Sequence, residues 1–346
     1  MVLLPEQQHR LITQGLQEVL GDAELKDIIQ SGRALRVYWG TATTGKPHVA
    51  YILPMLKLAD FLRAGCEVVV LLADLHAVLD NLKAPLALVQ KRVEYYRVVI
   101  TAILQAIGAP VEKIRFIEGR EFQLKEAYVM DMHRLSTLVT VHDAQRAGAE
   151  VVKQTNNPIL SGLVYPGMQA LDEEYLGVDA QFGGIDQRKI FIYAEKYLPM
   201  LGYRKRVHLM NPMVPGLSQG KMSSSEENSK IGLTDEDGAI KKKISKAFCE
   251  EGNVAVNGVL SLIKSLILPL LDQKGEVFAI EVFKTKETRT YTTYQALEQE
   301  FKERLIHPAD LKQALTAYLI SVITPIRESI LRHRDVADAA YPEPSK

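Results

Sequence analysis

Two glycine-bearing segments of this chain hold residue types that bind phosphate groups. The first phosphate segment, residues 40–48, joins a predicted strand to a helix that begins at Val49, and free N–H groups at a helix N-terminus attract anions. The second phosphate segment, residues 220–225, combines Lys221 with three serine hydroxyls. Neither has the spacing of a dinucleotide-binding or Walker loop. Alone, the first also fits an ordinary capped connection and the second a serine-rich linker.

Another set of residues could hold a small polar ligand. Tyr165, Gln169 and Asp172 are spaced i, i+4 and i+7, so one face of a helix presents all three to one site. Singly, Asp172 fits a surface acid beside two glutamates, and Tyr38, on a predicted strand, fits a buried core tyrosine. As a constellation, these residues favour a pocket.

A glycine pair follows another predicted strand. Gly183 and Gly184 have no side chains, so a ligand can approach the backbone closely there. Asp186 stands where acids accept ribose hydroxyls in dinucleotide-binding folds. The alternative for Asp186 is a helix N-cap, and the two roles are compatible.

The elements that position these residues alternate between short β-rich runs and helical stretches. Strands are predicted at 35–40, 68–73, 114–117, 178–182 and 207–210, and helices from Val49 and over 86–107. This alternation is typical of an α/β, Rossmann-like parallel sheet covered on both faces. A helical stretch at about 123–152 is too long for a simple crossover, so we interpret it as an insertion between two halves of the fold.

The character of the chain changes near residue 231, after the polar Gly/Ser-rich segment 215–230. Apolar residues at helical spacing follow over 259–270 and 311–326, with two strands of a hairpin between them at 277–283 and 289–294. The sequence therefore predicts two domains, 1–230 and a mostly α-helical 231–346 with a small hairpin. A frayed tail is expected after Arg334.

Composition bounds the class of protein. The chain has 346 residues, of which 47% are hydrophobic and 24% charged, so a sizeable core is possible and global disorder is ruled out. Lys+Arg 42 balance Asp+Glu 42, so a nucleic acid would have to bind through local patches. Two cysteines are too few for a disulfide framework or a four-ligand zinc site, and no protein-bound metal is expected. The polar N-terminus and the lack of an apolar run of ~20 residues predict a cytoplasmic protein that does not contact a membrane.

The two phosphate segments resemble the signature motifs of class I aminoacyl-tRNA synthetases. His48-Val-Ala-Tyr51 stands in the frame of their H-I-G-H motif, and Lys221-Met-Ser-Ser-Ser225 in the frame of K-M-S-K-S. The resemblance implies that His48 and Lys221 are catalytic and contact the ATP triphosphate as it reacts. Ala50, Tyr51 and Ser224 depart from the motifs and leave less positive charge to offset the pyrophosphate. Mg²⁺ bound with ATP must then supply more of that stabilisation, or the rate falls.

The pocket segments narrow the resemblance. Residues 38–40, 165–172 and 183–189 look like the tyrosyl-tRNA synthetases of the archaeal and eukaryotic cytosolic type, and the similarity runs over nearly the whole chain. It implies that Tyr38 and Asp172 hydrogen-bond a tyrosine phenol, while Tyr165, Gln169 and Gln187 hold its ammonium group. The ATP contacts that it implies are Gly40, His48, Gly183, Gly184, Asp186, Lys221, Ser223 and Ser225.

The implied activity is that of a tyrosine–tRNA ligase, which works in two steps. The carboxylate of L-tyrosine attacks the α-phosphate of ATP to give tyrosyl-adenylate and pyrophosphate. The 3′ end of tRNA(Tyr) then takes the tyrosyl group. Because the nucleophile is already ionised, catalysis is mainly positioning and charge stabilisation.

The resemblance also implies where tRNA and a second subunit bind. Arg188 and Lys189 resemble the pair that meets the acceptor end, and Arg146, in the insertion, is a further candidate. The insertion implies a homodimer interface with tRNA lying across both subunits.

Anticodon contacts are implied near the last amphipathic helix. His307 and Asp310 stand where the family meets the first anticodon base, a guanine whose edge a carboxylate can read. Pro308 and an acid also suit the start of a helix without any ligand. Thr285 stands where relatives carry a stacking aromatic residue.

Three other functions fit parts of the pattern. A tryptophanyl-tRNA synthetase shares the fold and motifs, but Tyr38 with Asp172 favours a phenol over an indole. A non-catalytic RNA-binding paralogue would explain the altered motifs, but not the intact His48 and Lys221. A small-molecule nucleotidyltransferase would not need the helical C-terminal domain.

Overall fold

The computed structural model describes residues 3–80, 85–152, 159–213, 230–255 and 257–342. Lys221, Ser223 and Ser225 of the second phosphate segment lie outside these described residues. Within them, the predicted α/β fold with a Rossmann-like parallel sheet is confirmed.

Buried apolar runs build a six-stranded sheet in this part of the chain. Its strands are β1 (Glu18–Leu20), β2 (Arg36–Ala42), β3 (Glu67–Ala73), β4 (Ile114–Glu118), β5 (Ala180–Gly184) and β6 (Val207–Asn211). In the order β1-β6-β5-β2-β3-β4, neighbours are parallel except the edge pair β1 and β6. The strands β2 to β6 overlap the predicted runs, with bounds that differ by up to two residues. Sequence analysis missed β1 because its three residues are too few for a periodic signal.

The direction of winding reverses beside β2, which pairs with β3 on one side and with β5 on the other. The chain moves outward from β2 to β4 and later returns to build β5 and β6. In open α/β sheets, ligands bind at such a switch point, outside the carboxyl ends of the strands. The sheet thus brings Gly40 on β2 close to Gly183 and Gly184 on β5.

Helices cover the sheet, and several of them form the predicted insertion. They are α1 (Pro5–Thr13), α2 (Asp22–Gln30), α3 (Ile52–Arg63), α4 (Asp74–Leu79), α5 (Leu86–Ala106), α6 (Arg120–Gln123), α7 (Glu126–Ser136), α8 (Val141–Gly148), α9 (Ser161–Tyr175) and α10 (Arg188–Tyr197). The helices predicted from Val49 and over 86–107 are confirmed as α3, preceded by a 3₁₀ turn, and α5. The insertion is helical but divided, because Thr140 caps α8 by accepting a hydrogen bond from the Asp143 N–H at 3.1 Å.

The C-terminal part is mostly helical, as predicted. Its elements are α11 (Asp237–Lys246), α12 (Gly258–Leu262), a π-helical turn (Ile263–Ile267), α13 (Leu268–Lys274), β7 (Phe278–Glu281), β8 (Thr288–Tyr291), α14 (Tyr294–Lys302), α15 (Pro308–Leu331) and α16 (Arg334–Ala340). Antiparallel β7 and β8 form the predicted hairpin, with Phe278 opposite Tyr291. Leu311, Leu315 and Leu319 of α15 are fully buried, so the predicted apolar face of this helix packs into the core.

The tail expected to fray after Arg334 is instead the helix α16, followed by Tyr341. The Tyr341 ring centre lies 5.4 Å from that of Tyr95 on α5, and its hydroxyl donates to the Thr44 carbonyl oxygen at 3.2 Å. The guanidinium of Arg92 lies 4.7 Å from the centre of the same ring. The expectation was wrong because one aromatic ring with a packing site on α5 orders an otherwise polar tail.

One helix in the described residues, α15, could cross a membrane by length and composition alone. The core helix of a soluble protein passes the same test, and α15 buries one face in the hydrophobic core. It also carries Asp310, which is buried, and Arg327, whose Nη1 donates to the Asp235 carbonyl oxygen at 2.6 Å. That the protein does not contact a membrane stays a prediction.

A buried ion pair ties α9 to β6. His208 on β6 is fully buried, its Nε2 lies 2.8 Å from Glu173 Oε1, and its ring stacks on that of Phe191 at 4.6 Å. Burial opposes a charge on the imidazole, but the carboxylates of Glu173 and Glu195 outweigh burial and raise the pKa of His208 to about 9. The pair therefore holds the part of α9 that contains Asp172 against the sheet.

This pair should make the free energy of unfolding fall by roughly 3 kcal/mol between pH 6.5 and pH 9.5. The folded protein keeps a proton on His208 that the unfolded chain has released. The stabilisation is therefore complete below the ordinary pKa of 6.5 and is lost as the pH rises through about 9. Urea unfolding of the wild type and of His208→Gln, which keeps a donor but no titratable group, measures the difference. The same pH slope in both proteins would contradict this expectation.

Candidate active site

A cavity of about 330 Å³ lies at the carboxyl ends of β2 and β5. It brings together these residues predicted for the site: Tyr38, Gly40, Tyr165, Gln169, Asp172, Gly183, Gly184, Asp186 and Gln187. They come from two strands, from α9 and from the 3₁₀ turn Ile185–Gln187. The sheet topology thus assembles one site from distant parts of the chain.

The helix α9 presents Tyr165, Gln169 and Asp172 to this cavity, as their spacing predicts. Gln169 Nε2 donates to Gln187 Oε1 at 3.1 Å, so the two amides predicted to hold an ammonium group are direct neighbours. The Gln169 side-chain oxygen is an acceptor that a cationic ligand group can use. Both amides thus lie where a ligand in the cavity can reach them.

Asp172 is the most deeply buried carboxylate of the cavity, with 1% of its surface exposed. Its Oδ1 accepts hydrogen bonds from Gln123 Nε2 at 2.7 Å and from the Tyr128 hydroxyl at 2.9 Å. Its Oδ2 has no hydrogen-bond partner among the described residues. Burial raises the pKa of Asp172 to about 8, although the two donors oppose the rise. The interpretation of Asp172 as a surface acid is wrong, because α9 turns it into the core.

Tyr38 lies beside this carboxylate and is also buried. Its hydroxyl donates to the Gln169 carbonyl oxygen at 3.4 Å. Burial, together with the charge of Asp172, raises the pKa of the Tyr38 phenol well above its ordinary value. Tyr38 therefore stays a neutral donor and acceptor at the inner end of the cavity.

The first phosphate segment holds His48 at the N-terminus of the 3₁₀ turn Val49–Tyr51. The Val49 N–H donates to the Ile231 carbonyl oxygen at 2.9 Å, so His48 lies beside the residues that follow the second phosphate segment in the chain. Its ring packs edge-on against that of Tyr51, 5.8 Å away, and Tyr51 lines the cavity. Burial, and then the charge of Lys230, lowers the pKa of His48 to about 4, so the imidazole is neutral at pH 7.

The glycine pair and Asp186 form the rim on β5. A Cβ atom added to Gly183 would lie 3.0 Å from Gln187 Cγ and 3.1 Å from Phe191 Cζ, so a side chain here would have to displace both neighbours by a few tenths of an ångström. The N-cap of α10 is Gln187. The alternative of Asp186 as that N-cap is therefore wrong, because Asp186 lies within the preceding 3₁₀ turn.

Among the described residues, three carboxylates line the cavity, those of Asp80, Asp172 and Asp186. They can accept hydrogen bonds from hydroxyl or ammonium groups of a ligand. In the ranges that the structure describes, no group of three His, Cys, Asp or Glu side chains could hold a metal ion.

The structure adds residues that sequence analysis did not single out. His76 on α4 lines the cavity, and Gln123 and Tyr128 hold Asp172 from α6 and α7. Gln123 and Tyr128 stand far from Asp172 in the chain, so no local pattern links them to it. His76 had a usable signal, because it lies three residues after the end of β3, at the carboxyl edge of the sheet where ligands bind.

The residues predicted to meet tRNA lie outside this cavity. Arg188 Nε lies 2.7 Å from Glu18 Oε2, and Lys189 Nζ lies 2.8 Å from Glu150 Oε1. Both side chains are more than two-fifths exposed, and Arg146, on α8, is exposed.

The predicted anticodon residues stand at the start of α15. His307 is its N-cap, and the His307 Nδ1 accepts a hydrogen bond from the Ala309 N–H at 3.1 Å. Pro308 occupies the first turn, as expected for a helix start, and Asp310 is buried. Thr285 lies in the turn between β7 and β8. The helix-start role of this segment is confirmed, while its contact with RNA stays a prediction.

The chain matches the family described as tRNA synthetases class I (W and Y) over residues 30–324. It is 57% identical to the cytoplasmic tyrosine–tRNA ligase of Gallus gallus over 99% of this chain, but it spans only 64% of that relative's length. It is 51% identical to the cytoplasmic tyrosine–tRNA ligase of Saccharomyces cerevisiae, covering 97% of this chain and 87% of that one. The crystal structure of a tyrosyl-tRNA synthetase from Archaeoglobus fulgidus with L-tyrosine superimposes with a TM-score of 0.86 at 34% identity, over 95% of this chain and 100% of that one.

Proposed function

This chain belongs to the class I tRNA synthetases of the W and Y type, and from that premise we propose that it is a tyrosine–tRNA ligase. The resemblance to tyrosyl-tRNA synthetases that the sequence predicts is confirmed by the relatives. Because the chain spans 64% of the Gallus gallus relative, its activity, substrates and partners are proposals.

The observation that carries the choice of tyrosine is the inner end of the cavity. Asp172 Oδ2 is buried without a hydrogen-bond partner among the described residues, and the Tyr38 hydroxyl lies nearby. A buried acceptor without a partner is costly, so it marks the place of a ligand donor. The hydroxyl of a phenol can donate to this acceptor and can also accept a hydrogen bond. The N–H of an indole can only donate, and its ring system is wider than that of a phenol.

The ammonium end of the tyrosine substrate would meet neutral side chains. Tyr165, Gln169 and Gln187 are proposed to hold the ammonium group through their oxygen atoms. Gly40, Gly183, Gly184 and Asp186 would hold ATP, with the Asp186 carboxylate accepting the ribose hydroxyls. Both substrates then share one cavity, with the tyrosine carboxylate directed toward the α-phosphate.

In the chemical step, this carboxylate attacks the α-phosphate and pyrophosphate leaves. His48 is proposed to donate a hydrogen bond to the triphosphate, and a neutral imidazole always carries one N–H for that purpose. Lys221, with Ser223 and Ser225, is proposed to hold the same phosphates from the second phosphate segment. Mg²⁺ is proposed to arrive bound to ATP and to neutralise part of its charge.

The tRNA and a second copy of the chain are proposed to bind elsewhere. Arg188 and Lys189, with Arg146, would meet the acceptor end, since their ion pairs are partly exposed and a phosphate can replace the carboxylate. His307 and Asp310 would meet the anticodon, from a domain proposed to span 231–346, against a catalytic domain of 1–230. We expect these contacts in a cytoplasmic enzyme, as the relatives are named cytoplasmic.

Dimerisation is proposed to use the insertion at about 123–152. This region exposes four large apolar side chains, those of Leu124, Val129, Met130 and Val141. Exposed apolar residues grouped on one surface mark interaction sites. The tRNA would then lie across both subunits.

ATP–pyrophosphate exchange tests the proposed activation step. We expect the purified chain to exchange label between pyrophosphate and ATP when tyrosine is supplied, and not with phenylalanine or tryptophan. Exchange with tryptophan alone would keep the family and reject the tyrosine pocket. Tyrosine binding without exchange would instead indicate a non-catalytic relative that binds RNA.

A further inference from the structure

His76 is a polar side chain of the cavity to which the proposed function has given no role. It lies on α4 with 2% of its surface exposed and lines the cavity. Its ring packs edge-on against that of Tyr165, with 4.7 Å between the centres. Neither ring nitrogen has a hydrogen-bond partner among the described residues. Buried polar atoms in folded proteins nearly always have partners, so this ring marks a place where a ligand or a water molecule can bind.

A second buried atom without a partner lies beside this ring. Asp172 Oδ2 is 3.9 Å from His76 Nε2, which is too long for a direct hydrogen bond. One oxygen atom between them, at ordinary hydrogen-bond distance from each, would satisfy both. Asp172 Oδ1 already accepts from Gln123 and Tyr128, so Oδ2 is the oxygen of this carboxylate that remains for a ligand.

We propose that His76 is a further hydrogen-bond donor to the substrate hydroxyl, which the proposed function already assigns to Asp172. The His76 Nε2–H donates to the hydroxyl oxygen, and the hydroxyl donates its proton to Oδ2 of the ionised Asp172. On binding, Asp172 releases to solvent the proton that burial keeps on it below about pH 8. This inference rests on the proposed function and makes His76 a specificity residue of the same site. Burial lowers the pKa of His76 to about 4, which keeps the ring neutral, with one N–H, at pH 7.

The arrangement selects for a hydroxyl at the end of the ring. Phenylalanine would leave a donor on His76 and an acceptor on Asp172 buried without partners, and each such group costs free energy. A buried water molecule could occupy the same place between the two side chains. The two explanations differ, because water would serve tyrosine and phenylalanine complexes alike, whereas the proposed contact depends on the substrate hydroxyl.

Binding measurements on two variants separate these explanations. By equilibrium dialysis, His76→Leu is expected to raise the Kd for tyrosine about tenfold and to leave the Kd for phenylalanine within about twofold. His76→Gln places an amide N–H near the position of Nε2, so its tyrosine Kd should stay within about threefold of wild type. His333→Leu, at an exposed histidine that does not line the cavity, is the matched control and should change neither Kd.

The wild-type protein provides a test that needs no variant to fold. The chain has eight histidines, and ¹⁵N labelling resolves their ring nitrogens, with His76→Gln used for assignment where it folds. Saturating tyrosine should shift one buried Nε2 signal, and saturating phenylalanine should leave it unchanged. Equal shifts with both amino acids, or none with either, would overturn the role of His76, as would equal losses of both affinities in His76→Leu.

Failure of the proposed function gives a different result. If wild-type protein does not bind tyrosine at all, the tyrosine pocket itself is rejected, and the assignment of His76 goes with it. If tyrosine binds tightly and every His76 variant keeps the wild-type preference for tyrosine over phenylalanine, the pocket stands and only the role of His76 is rejected.

Discussion

Asp172→Asn is expected to weaken tyrosine binding about 100-fold while leaving the protein folded. The amide oxygen can take over the two hydrogen bonds that Oδ1 accepts from Gln123 and Tyr128. The amide NH₂ then replaces Oδ2, so the atom that faces the ligand changes from an acceptor to a donor. A phenol hydroxyl loses the acceptor for its proton, and isothermal titration calorimetry at pH 9, where the wild-type carboxylate is mostly ionised, measures the loss.

Asp172→Asn is also expected to raise the free energy of unfolding at high pH, although it weakens binding. Burial raises the pKa of Asp172 to about 8, from an ordinary 3.8. Between these values the folded protein holds a proton that the unfolded chain has released, so stability falls as the pH rises through this window. An asparagine has no such proton. The difference in the free energy of unfolding between the variant and the wild type should therefore shift in favour of the variant from pH 5 to pH 8. Urea unfolding at the two pH values measures this shift.

Two results would contradict the role of Asp172 in binding the phenol. One is a tyrosine affinity close to that of the wild type. The other is a loss of the same size for tyrosine and phenylalanine, which would indicate general damage to the pocket. Asp27→Asn, at an exposed carboxylate on α2, is the matched control and should change neither affinity nor its pH dependence.

His48→Ala is expected to lower the rate of tyrosine-dependent ATP–pyrophosphate exchange about 10²- to 10³-fold. A hydrogen-bond donor held rigidly at a site of developing charge contributes this much, and the backbone bond from Val49 to Ile231 holds His48 in place. Its pKa of about 4 makes it a neutral donor, so the loss should be the same from pH 6 to pH 8. Tyrosine affinity should not change, because His48 does not line the tyrosine cavity.

His48→Asn retains a side-chain donor and should keep part of the activity that His48→Ala loses. His333→Ala removes an exposed histidine and is the control for the substitution itself. An unchanged exchange rate in His48→Ala would reject the contact with the triphosphate. A tyrosine Kd raised by the same factor as the rate loss would place the effect in binding rather than in the chemical step.

Local sequence patterns predicted most of the fold. The strands β2 to β6, the helices α3 and α5 and the hairpin of β7 and β8 were all predicted, because burial on a helix or strand repeats with the period of the element. The same periodicity also predicts that Tyr165, Gln169 and Asp172 share one face of α9. It could not predict β1, which is too short to repeat, or the docking of Tyr341, which depends on a single ring.

The class of fold, the family and the set of residue types that meet at the switch point all follow from the order of the residues. Which atoms of those residues remain for a ligand follows from the packing of distant elements. In the sequence, Asp172 is one of three consecutive acidic residues. In the packed core it is buried, its Oδ1 accepts from Gln123 and Tyr128, and its Oδ2 lies near His76. Spacing along a chain records which face a side chain occupies, whereas the partners of a buried atom come from elements that are distant in sequence and meet only when the core is packed.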